Sequence, residues 1–462
     1  MGAYIEVTVA DMMAAREGRW QMQQAMLARY PGAALVCLTM NTAGPVKRTD
    51  NILRAFAWGK AEIRAALGAY PLLFDAAIDE KTGPEAVFVV SADAKDVKRR
   101  LCQLEDGCAM GRLLDIDVIA PDGNKIARTA LGLPPRKCLL CGEDAPVCAR
   151  SRAHTVAELF ARTNEIIDEH FALAFAKRTA AQAQRALLYE VAITPKPGLV
   201  DRHNAGAHHD MDVFTFIDSA CSLAAYFETC ARVGLAHRGG SAEACFDALR
   251  VPGLRAEAAM HAATGGVNTH KGAIFSLGIY CAALGMGYDG KASDVHAALC
   301  RCGEMTAAQM ARELSEIEGR QARTFGEAAY QQRRVGGVRA EAASGFASVR
   351  EAALPRLCDA LDAGLDLNDA GLCALMALMA RTEDTNALRR GGEAAAKRLM
   401  EAAQELSGEI GGAIETGTLS EKMPAMKERL VIWDRELSAA RISPGGCADL
   451  LALSLLACFM KE

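Results

Sequence analysis

Ala34-Leu-Val-Cys-Leu-Thr-Met40 is an apolar, β-type run in a chain that otherwise favours helices, and it decides how the sequence divides. Two more such runs follow, Val87-Phe-Val-Val90 and Asp115-Ile-Asp-Val-Ile119, separated by helical segments such as Asn51 to Gly68. The N-terminal part is therefore expected to be α+β. The segment Gly132-Leu-Pro-Pro135 and the cysteine-rich stretch to Cys148 interrupt the pattern, and a long amphipathic helix is expected from near Thr155. Beyond that point strand signals nearly vanish. Ile217 to Leu235, Gly272 to Leu284, Thr306 to Ile317, Gly371 to Ala380 and Ala448 to Cys458 all read as helices. The expectation is a boundary near residue 175, with an α+β domain over 1–174 and a larger all-α domain over 175–462.

Bulk properties agree. With 462 residues the chain exceeds one ordinary hydrophobic core. A composition 51% hydrophobic and 24% charged, with 5% aromatics, suits a soluble, helix-rich globular protein. The net charge of −5 supplies no basic field for a nucleic-acid backbone, so no nucleic-acid partner is expected. No apolar stretch reaches the ~18 residues of a membrane span. Sixteen cysteines, many on helical apolar faces, suit a reducing cytoplasm better than a disulfide framework.

In Gly111-Arg-Leu-Leu-Asp-Ile-Asp-Val118, the carboxylates of Asp115 and Asp117 stand two residues apart on a strand and share a face. Such a pair can hold Mg²⁺, which neutralises phosphate charge in metal-assisted nucleotidyl transfer. The same spacing also occurs on strands that merely face water. Leu38-Thr-Met-Asn-Thr-Ala-Gly-Pro-Val-Lys47 ends a strand in a Gly-Pro turn that exposes Asn41 and Lys47, the latter suited to a triphosphate. Cys138, Cys141, Cys148 and His154 offer zinc ligands. Their spacing is tighter than in the commonest zinc modules, so reduced core thiols are the preferred reading over structural Zn²⁺. The neighbouring Arg128, Arg136, Arg150 and Arg152 are better suited to phosphate.

These clusters, in this order over about Arg16 to Leu159, resemble the holo-citrate lyase synthases, the phosphoribosyl-dephospho-CoA transferases. The resemblance rests on Arg16, Gln24, Asn41, Gly44, Pro45, Lys47, Gly111, Arg112, Asp115, Asp117, Arg128, Arg136, Cys138, Cys141 and Arg150. It implies a nucleotidyltransferase-like fold. It also implies transfer of phosphoribosyl-dephospho-CoA from its triphosphate to a serine of the apo acyl carrier (gamma) subunit of citrate lyase, with release of pyrophosphate.

In the larger part, Glu190-Val-Ala-Ile-Thr-Pro-Lys-Pro-Gly-Leu-Val-Asp-Arg-His-Asn-Ala-Gly-Ala-His-His-Asp-Met211 is too rich in Pro, Gly and ionisable groups to be helical. Lys196 stands between two prolines. Asp201, His208 or His209, and Asp210 supply metal ligands or an acid–base pair. Asn268-Thr-His-Lys-Gly-Ala-Ile-Phe-Ser-Leu-Gly278 opens a helix, so its free N–H groups with Asn268 and Lys271 make an anion site, although for Asn268 and Thr269 taken alone ordinary N-capping is the preferred reading. Arg381-Thr-Glu-Asp-Thr-Asn-Ala-Leu-Arg-Arg-Gly-Gly392 packs Arg381, Glu383, Asp384, Asn386, Arg389 and Arg390 together as a metal and phosphate clamp; the plain reading is a helix end with surface ion pairs. Ser443-Pro-Gly-Gly-Cys-Ala-Asp449 places Gly445, Gly446 and Asp449 at a helix start suited to an anion or a ribose. Gly336-Gly-Val-Arg-Ala-Glu-Ala-Ala-Ser-Gly-Phe346 is a further departure from plain helix.

Together, over about Leu187 to Leu453, these runs resemble the triphosphoribosyl-dephospho-CoA synthases of citrate lyase and malonate decarboxylase maturation. The resemblance implies that the 2′-hydroxyl of 3′-dephospho-CoA displaces adenine at C1′ of ATP. Breaking that N-glycosidic bond develops oxocarbenium-like charge and calls for a carboxylate from among Asp201, Asp210, Glu383 and Asp384. His208 or His270 is expected to move a proton. Lys196, Lys271, Arg389 and Arg390 are expected to hold the triphosphate with Mg²⁺, for which Asp210 and Asp384 are candidate ligands. The product of one half is the substrate of the other. Competing readings are malonate decarboxylase maturation, a non-catalytic nucleotide-binding regulator, and a helical glycohydrolase of the ADP-ribosyl type.

Overall fold

The computed structural model describes residues 5–318, 322, 331 and 337–461. Gly336 of the Gly336–Phe346 run lies outside them. The chain forms two compact units, Met1–Phe171 and Ala172–Glu462.

The first unit is built on a four-stranded antiparallel sheet of order β2-β3-β1-β4, with β1 Ala34–Met40, β2 Leu72–Glu80, β3 Gly83–Val90 and β4 Leu114–Ile119. A central strand covered on both faces reads as a continuous apolar run, which is why β1 stands out in the sequence. Ala34, Val36 and Leu38 pack with Phe56 and Ile63 of the helix Asp50–Leu67 and with Val97 and Leu101 of the helix Ala94–Gly107. Leu35 and Cys37 face the other way, towards Met22 and Met26 of the helix Val9–Arg29. β2 is absent from the sequence reading. It is an edge strand, Leu-Leu-Phe-Asp-Ala-Ala-Ile-Asp-Glu, exposed over most of its length, so no alternation marks it.

The second unit is entirely helical among the described residues. The helix expected over Ile217–Leu235 is two, Val213–Ser222 and Ala224–Ala236, divided at Leu223. Three of the helices, Lys271–Met286, Leu367–Met379 and Gly445–Phe459, are apolar around nearly their whole circumference and form the centre. Lys271–Met286 packs against Ala224–Ala236 so closely that a Cβ on Gly234 would stand 1.9 Å from the Ala282 carbonyl oxygen. Only glycine permits that approach. No described helix is long and apolar enough to cross a membrane.

Candidate active sites

In the first unit, β1 and β4 pair in a register that sets Thr39 opposite Asp115 and Cys37 opposite Asp117. Both aspartates therefore lie on the sheet face covered by the helix Val9–Arg29. Where β1 ends, the Asn41 N–H donates to the Leu113 carbonyl at 2.8 Å, fixing the end of β1 beside the start of β4. The chain then turns through Gly44, at φ +83°. The result is a polar cavity of about 190 Å³ lined by Arg16, Asn41, Lys47 and Asp115, with Arg19 and Thr82. Burial and the adjacent Arg16 lower the Lys47 ammonium from its usual value, while its Nζ donates to the Thr42 carbonyl. Asp117 does not line this cavity; Lys125 pairs with it.

The arginines converge on a group that the sequence did not single out. Glu105, 2% exposed, accepts from Arg128 at 3.0 Å and lies 3.7 Å from Arg136. Arg128 also binds Asp106 at 2.6 Å. Arg136 Nη1 stands 3.9 Å from Asp115 Oδ1, and its Nη2 donates to the Arg112 carbonyl at 2.6 Å. The Arg112 guanidinium in turn donates to the Lys137 carbonyl, and burial next to Arg136 lowers it from its ordinary value. Arg136 is thus the arginine held beside Asp115. Cys138, Cys141, Cys148 and His154 are also brought together, a short way along the chain.

In the second unit, five sequence runs meet at one cavity of about 620 Å³, the Gly336–Phe346 run through Val338. The loop after Glu190 contributes His208 and Asp210 to its wall. The start of the helix Lys271–Met286 contributes Asn268, His270 and Lys271. The helix Thr385–Glu415 contributes Asn386, Arg389 and Arg390, and the start of Gly445–Phe459 contributes Gly445, Gly446 and Asp449. Cations and carboxylates therefore face one space.

Lys196, Asp201, Arg381, Glu383 and Asp384 are not among the lining residues. Lys196 is 1% exposed and ion-paired with Glu190, whose main-chain oxygen it also holds at 2.7 Å. Asp201 accepts from the Thr194 hydroxyl and from the N–H groups of Lys196, His203 and Asn204, which folds the loop. Asp434 completes that scaffold, accepting from the Gly198 N–H at 2.9 Å and the Asn204 amide at 2.8 Å. Asp384 caps the helix Thr385–Glu415 through Asn386 and Ala387, and its other oxygen takes the Cys447 N–H at 3.1 Å. It ties the starts of two site helices together. Arg381 pairs with Glu351. Burial and ion pairing of this kind depend on distant chain segments, which residue type alone does not reveal.

Several groups on the cavity wall have altered acidity. Burial pushes the Asp449 carboxyl well above its ordinary range, Glu190 and Asp384 add to the effect, and the Ala273 N–H opposes it. A Cβ on Gly272 would stand 2.0 Å from Asp449 Oδ2, so the carboxylate rests directly on the start of the helix Lys271–Met286. Burial, with Lys196 nearby, pulls the His270 imidazole down to about 3. Its Nδ1 lies 2.7 Å from the Ser219 hydroxyl, and its buried Nε2 has no partner. Burial and Arg390 also lower His208, against the pull of Asp210. His208 Nε2 meets the Ser443 hydroxyl at 3.0 Å, while Nδ1 is buried without a hydrogen bond, 4.0 Å from Asp210. Glu190 and Gly272 were missed as site residues. Their signals were a glutamate just before the Pro-Lys-Pro segment and a glycine directly after Lys271.

Comparison with known proteins agrees with this division. The family model described as ATP:dephospho-CoA triphosphoribosyl transferase, CitG, matches residues 176–462. The model described as apo-citrate lyase phosphoribosyl-dephospho-CoA transferase, CitX, matches residues 7–170. The protein CitXG of Leuconostoc mesenteroides subsp. cremoris is 34% identical over 451 residues, covering 95% of this chain and 94% of its own. The protein CitXG of Haemophilus influenzae is 33% identical over 461 residues, covering 97% and 96%. A probable 2-(5''-triphosphoribosyl)-3'-dephosphocoenzyme-A synthase of Streptococcus mutans serotype c is 36% identical over 294 residues, covering 61% of this chain and 95% of its own. With both family regions present in order and full-length relatives of the same two-part organisation, the chain belongs to the CitXG family, in which a CitX region and a CitG region share one polypeptide.

Proposed function

We infer that this chain is a bifunctional transferase that builds and attaches the citrate lyase prosthetic group. The CitG region joins ATP and 3′-dephospho-CoA into 2′-(5″-triphosphoribosyl)-3′-dephospho-CoA with release of adenine. The CitX region passes the phosphoribosyl-dephospho-CoA unit to the apo acyl carrier subunit with release of pyrophosphate. The observation that carries the first half is the meeting of five distant runs at a single cavity of about 620 Å³, cationic at Lys271, Arg389 and Arg390 and lined by the carboxyl groups of Glu190, Asp210 and Asp449. For the second half it is the small polar cavity that combines Arg16, Lys47 and Asp115.

Residue roles follow from charge and acidity. Lys271, Arg389 and Arg390 bind the triphosphate, since fixed cations must balance its charge. Asp449, whose carboxyl burial holds in its neutral form to higher pH than an ordinary aspartate, donates to the departing adenine. His208, held neutral, accepts the 2′-hydroxyl proton, with Asp210 beside it to stabilise the imidazolium. Lys196, Asp201 and Asp384 position these groups. In the CitX region, Arg16, Lys47 and Arg136 hold the triphosphate, and the carrier serine attacks within reach of Asp115.

Hard oxygen ligands of the kind Mg²⁺ takes stand at both cavities: Asp115, with Asp117 on the same face of β4, and Asp210 on the wall of the larger one. Bound there, Mg²⁺ would neutralise triphosphate charge. We further propose a nucleotidyltransferase-like fold for the first region, a functional boundary near residue 175, a cytoplasmic site of action, and the gamma subunit of citrate lyase as the carrier.

One experiment tests the first half alone. With ATP, 3′-dephospho-CoA and Mg²⁺ but no carrier, the chain should release adenine equimolar with a triphosphate-bearing adduct. Ribose triphosphate formed without dephospho-CoA would instead identify a glycohydrolase. The pH profile adds a second readout. A base whose constant is lowered stays neutral further into acid, so the acid limb of adenine release should fall below the ordinary histidine value of about 6.5. A limb above it would remove His208 from the role.

A further inference from the structure

Residues between Gly132 and Thr155 have little apolar burial to order them. Leu140 is 40% exposed and Val147 54%. Regular structure is limited to the short helix Ala145–Ser151 and one bridge between Lys137 and Asp144. Yet four side chains of this segment point at one spot. The ligand atoms of Cys138, Cys141, Cys148 and His154 all lie within 4.8 Å of one another. Cys148 Sγ is 3.5 Å from Cys138 Sγ and 4.0 Å from Cys141 Sγ, and none of the three is in a disulfide. Zinc–sulfur bonds of about 2.3 Å at tetrahedral angles place two ligand sulfurs about 3.8 Å apart, which is the spacing seen.

Two further features belong to a ligand set and have no use in a plain apolar core. The His154 Nε2 is buried with no hydrogen-bond partner, a cost that a metal bond removes. The turn after Cys138 also folds back on its sulfur. The Leu140 N–H lies 3.4 Å from Cys138 Sγ, the Cys138 N–H donates to the Glu143 carbonyl at 2.6 Å, and Gly142 at φ +72° lets the chain reverse. N–H groups aimed at sulfur stabilise a thiolate, the form that binds metal.

We propose that Cys138, Cys141, Cys148 and His154 form a closed structural Zn²⁺ site that orders this segment. The site replaces the missing core there, and its consequence reaches the transferase cavity. The Lys137 carbonyl, adjacent to Cys138, receives the Arg112 guanidinium, and Arg136 stands 3.9 Å from Asp115. Zinc therefore holds the arginine side of that cavity in place.

The test is metal content of the full chain, purified without chelator, by mass spectrometry of the element together with release by a thiol-blocking mercurial. The expected result is one equivalent of zinc, released as the cysteines are titrated. Cys148→Ser should lose it, whereas His154→Cys, which preserves four ligands, should keep it. His154→Ala should bind zinc more than about tenfold more weakly. Adenine release by the other region reports that the second unit is intact in each variant, and circular dichroism of the full chain reports the fold of the first. Zinc-depleted protein should release adenine at the normal rate while modifying carrier poorly. Wild-type protein grown with zinc that carries no metal, with Cys138, Cys141 and Cys148 freely reactive or with two of them disulfide-bonded, would overturn the proposal.

Discussion

Asp115→Ala in the full chain should stop carrier modification and leave adenine release unchanged. The side chain is 55% exposed, so its loss removes no core packing and should shift stability by no more than about 0.5 kcal/mol. What it removes is the carboxylate on the wall of the smaller cavity, with Arg136 at 3.9 Å and the Thr39 hydroxyl at 3.5 Å. Removing one preorganised charged group from a transfer site costs on the order of 10²–10³ in rate. Intact mass of the carrier against time, with free adenine measured in the same samples, reads both reactions. Loss of both in a folded protein would mean that the two reactions share machinery.

The mirror experiment is Asp449→Asn. Asparagine keeps the shape that rests against Gly272 but donates no acid proton, so adenine release should fall by about 10²–10⁴. Carrier modification from preformed 2′-(5″-triphosphoribosyl)-3′-dephospho-CoA should persist. Gly272→Ala should approach the same phenotype by displacing the carboxylate, since its Cβ would fall 2.0 Å from Asp449 Oδ2. An Asp449→Asn protein that released adenine at the wild-type rate would leave Asp449 as a packing residue only.

Much of the architecture could be read in advance because its signals are local. A strand buried on both faces, such as β1, announces itself as an apolar run, and helices buried on all sides, such as Lys271–Met286 and Gly445–Phe459, announce themselves as longer ones. β2 carried no such signal, being a solvent-exposed edge strand specified by pairing with β3.

The sites divide along the same line. Glycine- and proline-rich runs marked the loops, and the larger cavity draws on five of them. Residue type did not tell which members face that cavity. Lys196 and Asp384 look from the sequence like ligands for phosphate and metal. In the fold, one is neutralised by Glu190 and the other accepts three main-chain N–H groups. Glu105, which anchors Arg128 and Arg136, sits inside an ordinary amphipathic helix and could be recognised only from its burial. Cys138, Cys141, Cys148 and His154 have a spacing unlike common zinc modules, and the convergence of their ligand atoms within 4.8 Å of one another is visible only in the fold.

The most direct test is one reaction containing the full chain, ATP, 3′-dephospho-CoA, Mg²⁺ and apo acyl carrier subunit of citrate lyase, followed by intact mass spectrometry. The carrier should gain the mass of one phosphoribosyl-dephospho-CoA unit on a serine, with adenine and pyrophosphate released in equal amounts. A carrier of unchanged mass with every substrate present would contradict the account.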